Sequence, residues 1–241
     1  MRFLDVSDAQ WRVLASQRIY FAHQSVGANI LDGVQGLLAA HPRIGLRLAE
    51  SPTSSTSAAP GLYHARVGRN GDPLTKSAEL VRMAGAGLPS VAMVKYCYAD
   101  VEGSTNPESL FTQYRRQMNE LKSAHPAVTI VHITMPLTTI GGGKEWLGGM
   151  VRGTPTSRDL NLIRNRYNDR IRETFAGREP LFDLAAVEST RPDGSRVFFE
   201  RAGTPVYYLA PEYTNDGGHL IGAGRRSAAE ALLATLAGIQ K

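Results

Sequence analysis

The segment Arg18-Ile-Tyr-Phe-Ala-His-Gln-Ser25 decides the fold, because it changes from apolar to polar residues as it reaches Ser25. A short apolar run that ends in polar residues is typical of a buried strand. Between Val26 and Ala40 the apolar residues recur at helical spacing, at Ile30, Leu31, Val34, Leu37 and Leu38. The sequence therefore predicts a strand that ends at Ser25 and a helix that follows it directly, which is the building unit of a parallel sheet.

The same alternation of strands and helices continues along the chain. Further strands are predicted at 44–50, 90–98, 127–134 and 180–186, and further helices at 72–83, at 107–123, from Thr156 onward and at 223–239. Together they predict an α/β fold, a three-layer α/β/α sandwich with a mostly parallel five-stranded sheet, in a single domain over residues 1–241. Between Arg191 and Leu209, the turn sequence Pro192-Asp-Gly-Ser predicts a small hairpin at the edge of the sheet.

Composition and charge restrict the functions that the chain can have. Its 241 residues are 42% hydrophobic and 20% charged, as in a globular protein with a large core. The net charge is +5, but the basic residues are spread along the chain, so we expect no nucleic-acid partner. We also expect no membrane span, and we recognise no signal peptide. Because an export signal could have been removed, the compartment stays open, as does the oligomeric state.

Metal and thiol chemistry have little support in the sequence. The single cysteine, Cys97, excludes an internal disulfide and a zinc cluster of cysteines, and the six histidines show no paired ligand spacing. Cys97 could act as a nucleophile, but it lies in an apolar strand, where cysteines are usually buried and inert. We therefore expect neither a metal nor another cofactor.

Ser25 is the first candidate for catalysis. It leaves the first strand within His23-Gln24-Ser25-Val26-Gly27, where the opening amides of the next helix would face the same point and Gly27 would allow a close approach. Acyl transfer needs a nucleophile exposed at such a sharp turn. The alternative is that Ser25 merely caps the helix through its side chain, as serines at this position often do.

The second candidate is the segment Thr214-Asn-Asp-Gly-Gly-His219. Its spacing lets the Asp216 carboxylate fold back to the imidazole of His219, where it would fix the tautomer and support a positive charge. The alternative is an ordinary turn, since Asp followed by two glycines is common in turns. A parallel sheet would bring this segment and Ser25 to one rim, meaning the edge formed by the carboxyl ends of its strands.

In these two motifs, and in the order of its strands and helices, the chain resembles the SGNH/GDSL hydrolases, whose fold is flavodoxin-like. The resemblance implies that Ser25 is the nucleophile, that His219 is the base and that Asp216 orients it. It also implies an oxyanion hole formed by the amides of Ser25 and of Gly71, or alternatively of Gly68.

The chain departs from the family pattern in two places. His23-Gln24-Ser25 replaces the usual Gly-Asp-Ser, and the segment after the third strand, Lys95-Tyr-Cys-Tyr-Ala-Asp100, lacks the usual asparagine. Asn70, or a group between Tyr96 and Asp100, would have to replace that donor, since the loss of one oxyanion donor costs about 10²- to 10³-fold in rate.

The substrate is predicted less directly. Lys95 would either face the cleft or form a salt bridge with Asp100 or another carboxylate, and the glycine-rich segment 141–149 would lie over the cleft or form a surface loop. Arg66, Arg69 and Lys144 would make the rim hydrophilic. The candidate substrate contacts are His23, Gln24, Lys95, Tyr98 and Trp146.

The resemblance implies a serine esterase that removes an acyl group, O-acetyl above all, from a small-molecule or polysaccharide ester. Two alternatives remain open. The same site could transfer the acyl group to a sugar, or the chain could be a non-catalytic carbohydrate-binding relative.

Overall fold

The computed structural model describes residues 1–51, 59–87, 89–141 and 154–239. Within these ranges the central sheet has six strands: β1 (Arg18–His23), β2 (Leu48–Glu50), β3 (Gly61–Arg66), β4 (Val91–Val94), β5 (Thr129–Ile133) and β6 (Leu181–Phe182). Their order is β2-β3-β1-β4-β5-β6, and all neighbouring pairs are parallel. Because β1 lies between β3 and β4, the loops that follow these two strands flank the residues that follow β1.

Helices cover both faces of the sheet. The α-helices of the described ranges are α1 (Asp8–Ala15), α2 (Val26–Ala40), α3 (Pro73–Gly87), α4 (Pro107–Ala124), α5 (Ser157–Phe175), α6 (Leu184–Glu188) and α7 (Gly222–Ala237). Successive strand residues point to opposite faces. Phe21 accordingly packs with α1, α2 and α7, whereas its neighbour Tyr20 packs with α3 and shares a core with α4 and α5. The predicted α/β/α sandwich is confirmed.

The predicted number of strands is wrong by one, because β3 was not recognised. Its sequence places the polar residues His64 and Arg66 among small and apolar ones, so it has no continuous apolar run. The strand pairs with β1 over its whole length, from Arg18 opposite Gly61 to His23 opposite Arg66. β3 is therefore an inner strand, between β2 and β1, although polar residues interrupt its apolar sequence.

The predicted hairpin exists, but its turn lies elsewhere. Strands β7 (Phe198–Arg201) and β8 (Thr204–Tyr207) form an antiparallel sheet of their own. The residues between them, Ala202 and Gly203, have φ values of +51° and +75°. Two-residue hairpin loops of type I′ require positive φ at both central residues. Pro192-Asp-Gly-Ser precedes the hairpin instead of forming its turn.

No helix within the described ranges combines the length and the apolar character that crossing a bilayer requires.

Candidate active site

Ser25 lies at the junction of β1 and α2 in an unusual backbone conformation. Its φ is +25° and its ψ is −90°, and residues other than glycine seldom adopt positive φ. Ser25 is the N-cap of α2, yet its side chain makes no capping hydrogen bond. Neither its hydroxyl nor its amide is bonded to another described residue. The half-buried hydroxyl is therefore not used to cap the helix, and strained positions of this kind cluster at active sites.

Gly27 lets α2 begin directly against the end of β1. A Cβ atom at this position would lie 2.4 Å from Cβ of His23, far inside van der Waals contact. His23 itself is buried. The glycine is thus needed for packing beneath the Ser25 turn, whereas the sequence suggested that it allows a close approach to Ser25.

Asp216 binds His219 through both of its carboxylate oxygens. Oδ1 accepts from the His219 backbone amide at 2.8 Å and from the Gly218 amide at 2.9 Å, while Oδ2 lies 2.6 Å from Nδ1 of the imidazole. These two amides, followed by the imidazole, hold the pKa of Asp216 well below its usual value. The ionised carboxylate keeps a proton on Nδ1 and leaves Nε2 as the acceptor. This is the contact that the spacing of the two residues predicted.

Two hydrogen bonds hold the His219 segment against neighbouring elements. The amide of Leu220 donates to Oδ1 of Asn29 in the first turns of α2 at 3.1 Å. The amide of Thr139, which follows β5, donates to the carbonyl of Gly217 at 2.9 Å. The segment therefore lies beside the helix that begins at Ser25.

Ser25 and His219 form no hydrogen bond with each other in this structure. Nε2 of His219 instead lies 3.4 Å from the hydroxyl of Tyr98, and the two rings meet edge to face with centroids 5.7 Å apart. The carbonyl of Tyr98 accepts from Nη2 and Nε of Arg164 at 2.8 and 3.2 Å. Burial, with the nearby Asp216 charge second, raises the pKa of the Tyr98 hydroxyl. Tyr98 is thus held beside the imidazole, and its role as a substrate contact stays a prediction.

The candidate oxyanion donors differ in whether their hydrogen-bonding groups already have a partner. The amide of Gly71 donates to Oδ1 of Asp100 at 2.9 Å, so it holds its own loop and does not face a substrate. Gly68 has a φ of +61°, and a Cβ there would lie 2.7 Å from the Lys76 side chain. Its amide donates no hydrogen bond to any described residue. Asn70 is exposed, and its Oδ1 accepts from Nζ of Lys76 at 3.2 Å.

Comparison with known proteins gives a result for the fold alone. No protein-family model matches the sequence, and no curated protein matches it. Among solved structures, a GDSL-like lipase from Bacteroides thetaiotaomicron VPI-5482 is 12% identical with a TM-score of 0.53, over 95% of this chain and 98% of that chain. A lipase/acylhydrolase from Enterococcus faecalis is 15% identical with a TM-score of 0.52, over 92% of this chain and 96% of that chain. An acetyl esterase mutant, solved with an acetate ion, is 12% identical with a TM-score of 0.50, over 91% of this chain and 94% of that chain.

This chain has a GDSL-type hydrolase fold. The fold class and the resemblance predicted from the sequence are thereby confirmed at the level of architecture, in a strongly divergent sequence.

Two of the candidate substrate contacts, His23 at the end of β1 and Gln24 directly after it, have structural partners in this GDSL-type fold. Nε2 of Gln24 donates to the carbonyls of Val67 and Gly68 at 3.0 and 3.2 Å, so it ties the loop after β3 to the neighbour of Ser25. His23 is 1% exposed, and its Nε2 lies 3.2 Å from Nδ1 of His64. Burial, with His64 second, lowers the pKa of His23 to about 3. His23 has no exposed surface to offer a substrate, contrary to expectation.

Lys95 also differs from both of its expected roles. Its side chain is fully buried, because it follows β4 in the middle of the sheet, and burial lowers its pKa. Nζ donates to the carbonyl of Tyr96 at 3.1 Å and to Sγ of the buried Cys97 at 3.4 Å. Asp100 pairs with Lys76, not with Lys95. Lys95 therefore neither reaches a cleft nor forms the expected salt bridge.

The remaining rim residues divide into two sets. Arg66 and Arg69 are exposed, as expected, whereas Lys144 and Trp146 lie outside the described residues, together with most of segment 141–149. In the part of the chain that the structure describes, no group of three histidine, cysteine or acidic residues could hold a metal ion.

Sequence reasoning missed three residues that shape the site, namely Asn29, Lys76 and Arg164. In the sequence, Asn29 lies among small and apolar residues, from Val26 to Leu31, so an amide there is a detectable anomaly. Arg164 is 3% exposed within a helix that reads as ordinary and amphipathic. Nothing in the sequence distinguishes Lys76 from an exposed helical lysine.

Proposed function

We propose that the chain is a serine esterase that hydrolyses an O-acetyl ester on a carbohydrate, with Ser25 as nucleophile, His219 as general base and Asp216 as its orienting partner. The observation that carries the proposal is that the Asp216 carboxylate accepts hydrogen bonds from both the backbone amide and Nδ1 of His219. This pair lies beside the helix that begins at Ser25, whose φ is positive and whose side chain does not cap the helix. The fold supports an ester hydrolase, because the structures similar to this chain include lipases and an acetyl esterase.

Acylation begins when Oγ of Ser25 attacks the acyl carbonyl carbon. Nε2 of His219 takes the hydroxyl proton, and the Asp216 carboxylate stabilises the imidazolium that forms. The tetrahedral intermediate then collapses, and the alkoxide of the leaving sugar takes the proton from Nε2. Water attacks the acyl-enzyme with His219 as base again, which releases acetate and restores the Ser25 hydroxyl.

For the attack, the imidazole must accept from Ser25 and not from Tyr98. The hydroxyl of Tyr98 is at the outer limit of a hydrogen bond, at 3.4 Å from Nε2, and it has no other hydrogen-bond partner among the described residues. Catalytic hydrogen bonds are often loose before substrate binds and shorten in the reacting complex. A small change of the Ser25 or His219 rotamer is therefore the step that we propose for substrate binding.

The oxyanion hole is proposed to contain the amide of Ser25, the amide of Gly68 and Nδ2 of Asn70. Gly68 takes the role first expected of Gly71, since the Gly71 amide is bonded to Asp100 whereas the Gly68 amide has no partner among the described residues. Gln24 supports this choice, because its side chain binds the Gly68 carbonyl and so ties this loop to the residue that precedes Ser25. Each donor should lower the barrier by about 3 kcal/mol.

Two observations support a small acyl group on a polar substrate. The similar fold of an acetyl esterase supports the acetyl group. The loop beside Ser25 exposes Arg69 and Asn70, and β3 ends in the exposed Arg66. Such a hydrophilic surface suits a hydroxylated sugar better than an acyl chain, and the half-buried ring of Tyr98 provides a surface for a pyranose.

The test is loss of activity in a folded variant. Ser25→Ala should abolish hydrolysis of 4-nitrophenyl acetate and prevent labelling by a fluorophosphonate, while circular dichroism stays unchanged. Ser123→Ala, which alters an exposed serine at the end of α4, is the matched control and should retain both properties. Full activity in Ser25→Ala would exclude the mechanism.

The natural reaction is tested with an O-acetylated oligosaccharide. Release of acetate supports hydrolysis, whereas acetylation of an added sugar acceptor would show that the site is a transferase. Activity on long-chain esters that exceeds activity on acetate esters would exclude the proposed substrate class.

A further inference from the structure

A buried ion pair lies next to the loops that flank Ser25. Nζ of Lys76, on α3, lies 2.5 and 2.6 Å from the two carboxylate oxygens of Asp100, and both side chains are inaccessible to solvent. Removing two charges from water is expensive, and a buried pair is often no more stabilising than apolar residues of the same size. The pair therefore calls for an explanation other than stability.

Asp100 joins the loop after β3 to the loop after β4. Its Oδ1 accepts from the Gly71 amide at 2.9 Å, and its Oδ2 accepts from the Cys97 amide at 2.7 Å. The carboxylate thus satisfies one backbone donor from each loop in addition to Lys76. Since β3 and β4 are the two neighbours of β1, Asp100 fixes the loops on both sides of Ser25 relative to each other.

Lys76 extends this arrangement to Asn70. Besides Asp100, its Nζ donates to Oδ1 of Asn70 at 3.2 Å. An ammonium group can only donate, so the oxygen of the Asn70 amide must face Lys76. The Nδ2 group, which carries two donors, must then point away from the ion pair. The exposed Asn70 side chain is held with its donors outward, in the loop that Gln24 ties to Ser25.

We infer that the Lys76–Asp100 pair is a positioning device that presents Nδ2 of Asn70 to the oxyanion, in place of an asparagine after β4. This inference rests on the proposed function, because it assigns a role within the same reaction. Lys76 determines which end of the Asn70 amide faces the substrate. Asp100 holds the loop after β3 in a fixed position relative to the loop after β4. Neither residue touches the reacting atoms.

The test is a double-mutant cycle between Asn70 and the pair, measured with 4-nitrophenyl acetate. Asn70→Ala should lower kcat by about 10²-fold with KM changed less than threefold, as expected for a donor that acts on the transition state. Lys76→Met/Asp100→Asn removes both charges and keeps an acceptor for a loop amide. It should lower kcat to a similar degree, and the triple variant should be no worse than Asn70→Ala alone.

Additive losses in the triple variant would overturn the inference, because a merely structural pair would act independently of Asn70. Should the pair variant fail to fold, Asn70→Asp decides the matter, since this exposed replacement still accepts from Lys76 but has no N–H to donate. It should be as impaired as Asn70→Ala, and wild-type kcat in Asn70→Asp would overturn the inference. Failure of the proposed function is recognised separately, by activity that persists in Ser25→Ala.

Discussion

The carboxamide oxygen of Asn29 accepts a hydrogen bond from the backbone amide of Leu220 at 3.1 Å. Asn29 is four residues beyond Ser25 on α2, and Leu220 directly follows His219. One hydrogen bond therefore links the segments that carry the proposed nucleophile and the proposed base, although the two bonded residues are 191 positions apart in sequence.

This bond predicts that Asn29→Ala impairs catalysis although Asn29 does not touch a substrate. Without the acceptor, the Leu220 amide must find another partner, and the imidazole of His219 moves with it. A displacement of about 1 Å costs about 10²-fold in rate, so kcat should fall by roughly 10- to 100-fold. The measurement is steady-state hydrolysis of 4-nitrophenyl acetate, with circular dichroism as the check on folding.

Two variants control this prediction. Asn29→Asp keeps an acceptor oxygen at the same place and should retain most of the activity. Gln35→Ala changes an exposed amide on the same helix and should behave as wild type. If Asn29→Asp were as inactive as Asn29→Ala, the hydrogen bond to Leu220 would not be the reason for the loss.

The local features of the fold could be predicted from the sequence because they depend on neighbouring residues. The first strand, which ends at His23 two residues before Ser25, and the helix that begins at Val26 follow from periodicity alone. The cap at Thr156 follows from the acidic residue three positions later, and the structure shows the reciprocal hydrogen bonds between Thr156 and Asp159. The contact of Asp216 with His219 is also local, since only two glycines separate these residues in the sequence.

The remaining features could not be predicted because they depend on partners that are distant in sequence. Lys95 is buried against the carbonyl of Tyr96, and only the position of β4 in the middle of the sheet makes this necessary. Gly71 was expected to face the oxyanion, yet Asp100, 29 residues away, takes its amide. Sequence patterns identify residues that can donate or accept, but they do not say which distant partner each one meets.

Two glycines of α2 provide a matched test of packing beneath Ser25. A Cβ at Gly27 would lie 2.4 Å from the buried His23, whereas a Cβ at Gly36 would meet nothing within 4 Å. Gly27→Ala should therefore destabilise the protein by about 1–3 kcal/mol, as overpacking does. Gly36→Ala should stabilise it by roughly 0.5–1 kcal/mol, because alanine suits a helix interior better than glycine does.

Urea unfolding of the two variants measures both effects. Hydrolysis of 4-nitrophenyl acetate should fall in Gly27→Ala, since α2 or His23 must shift next to the Ser25 turn, and should not change in Gly36→Ala. Equal stability changes in the two variants would contradict the packing role of Gly27.

His132 makes the stability of the protein depend on pH. Its side chain is 1% exposed, its ring stacks on Phe175 with centroids 3.4 Å apart, and its Nδ1 lies 2.8 Å from the hydroxyl of Tyr114. Burial lowers its pKa from 6.5 to about 4, and the nearby Glu179 opposes this shift only in part. At pH values between about 4 and 6.5, the His132 imidazole therefore binds a proton in the unfolded chain but not in the folded protein.

The free energy of unfolding should therefore decrease as the pH falls from about 6.5 to about 4, by about 1.4 kcal/mol for each unit and on the order of 3 kcal/mol in total. His132→Gln cannot bind this proton, so its stability should decrease less steeply over the same range. The variant should be less stable than wild type at pH 8, where it lacks the ring stacked on Phe175. Urea unfolding at pH 4, 5, 6.5 and 8 should show this deficit shrinking as the pH falls. A deficit that stays constant from pH 8 to pH 4 would mean that burial does not suppress protonation of His132. The sensitivity to acid would then come from other groups, and the buried His23 would be the first to test.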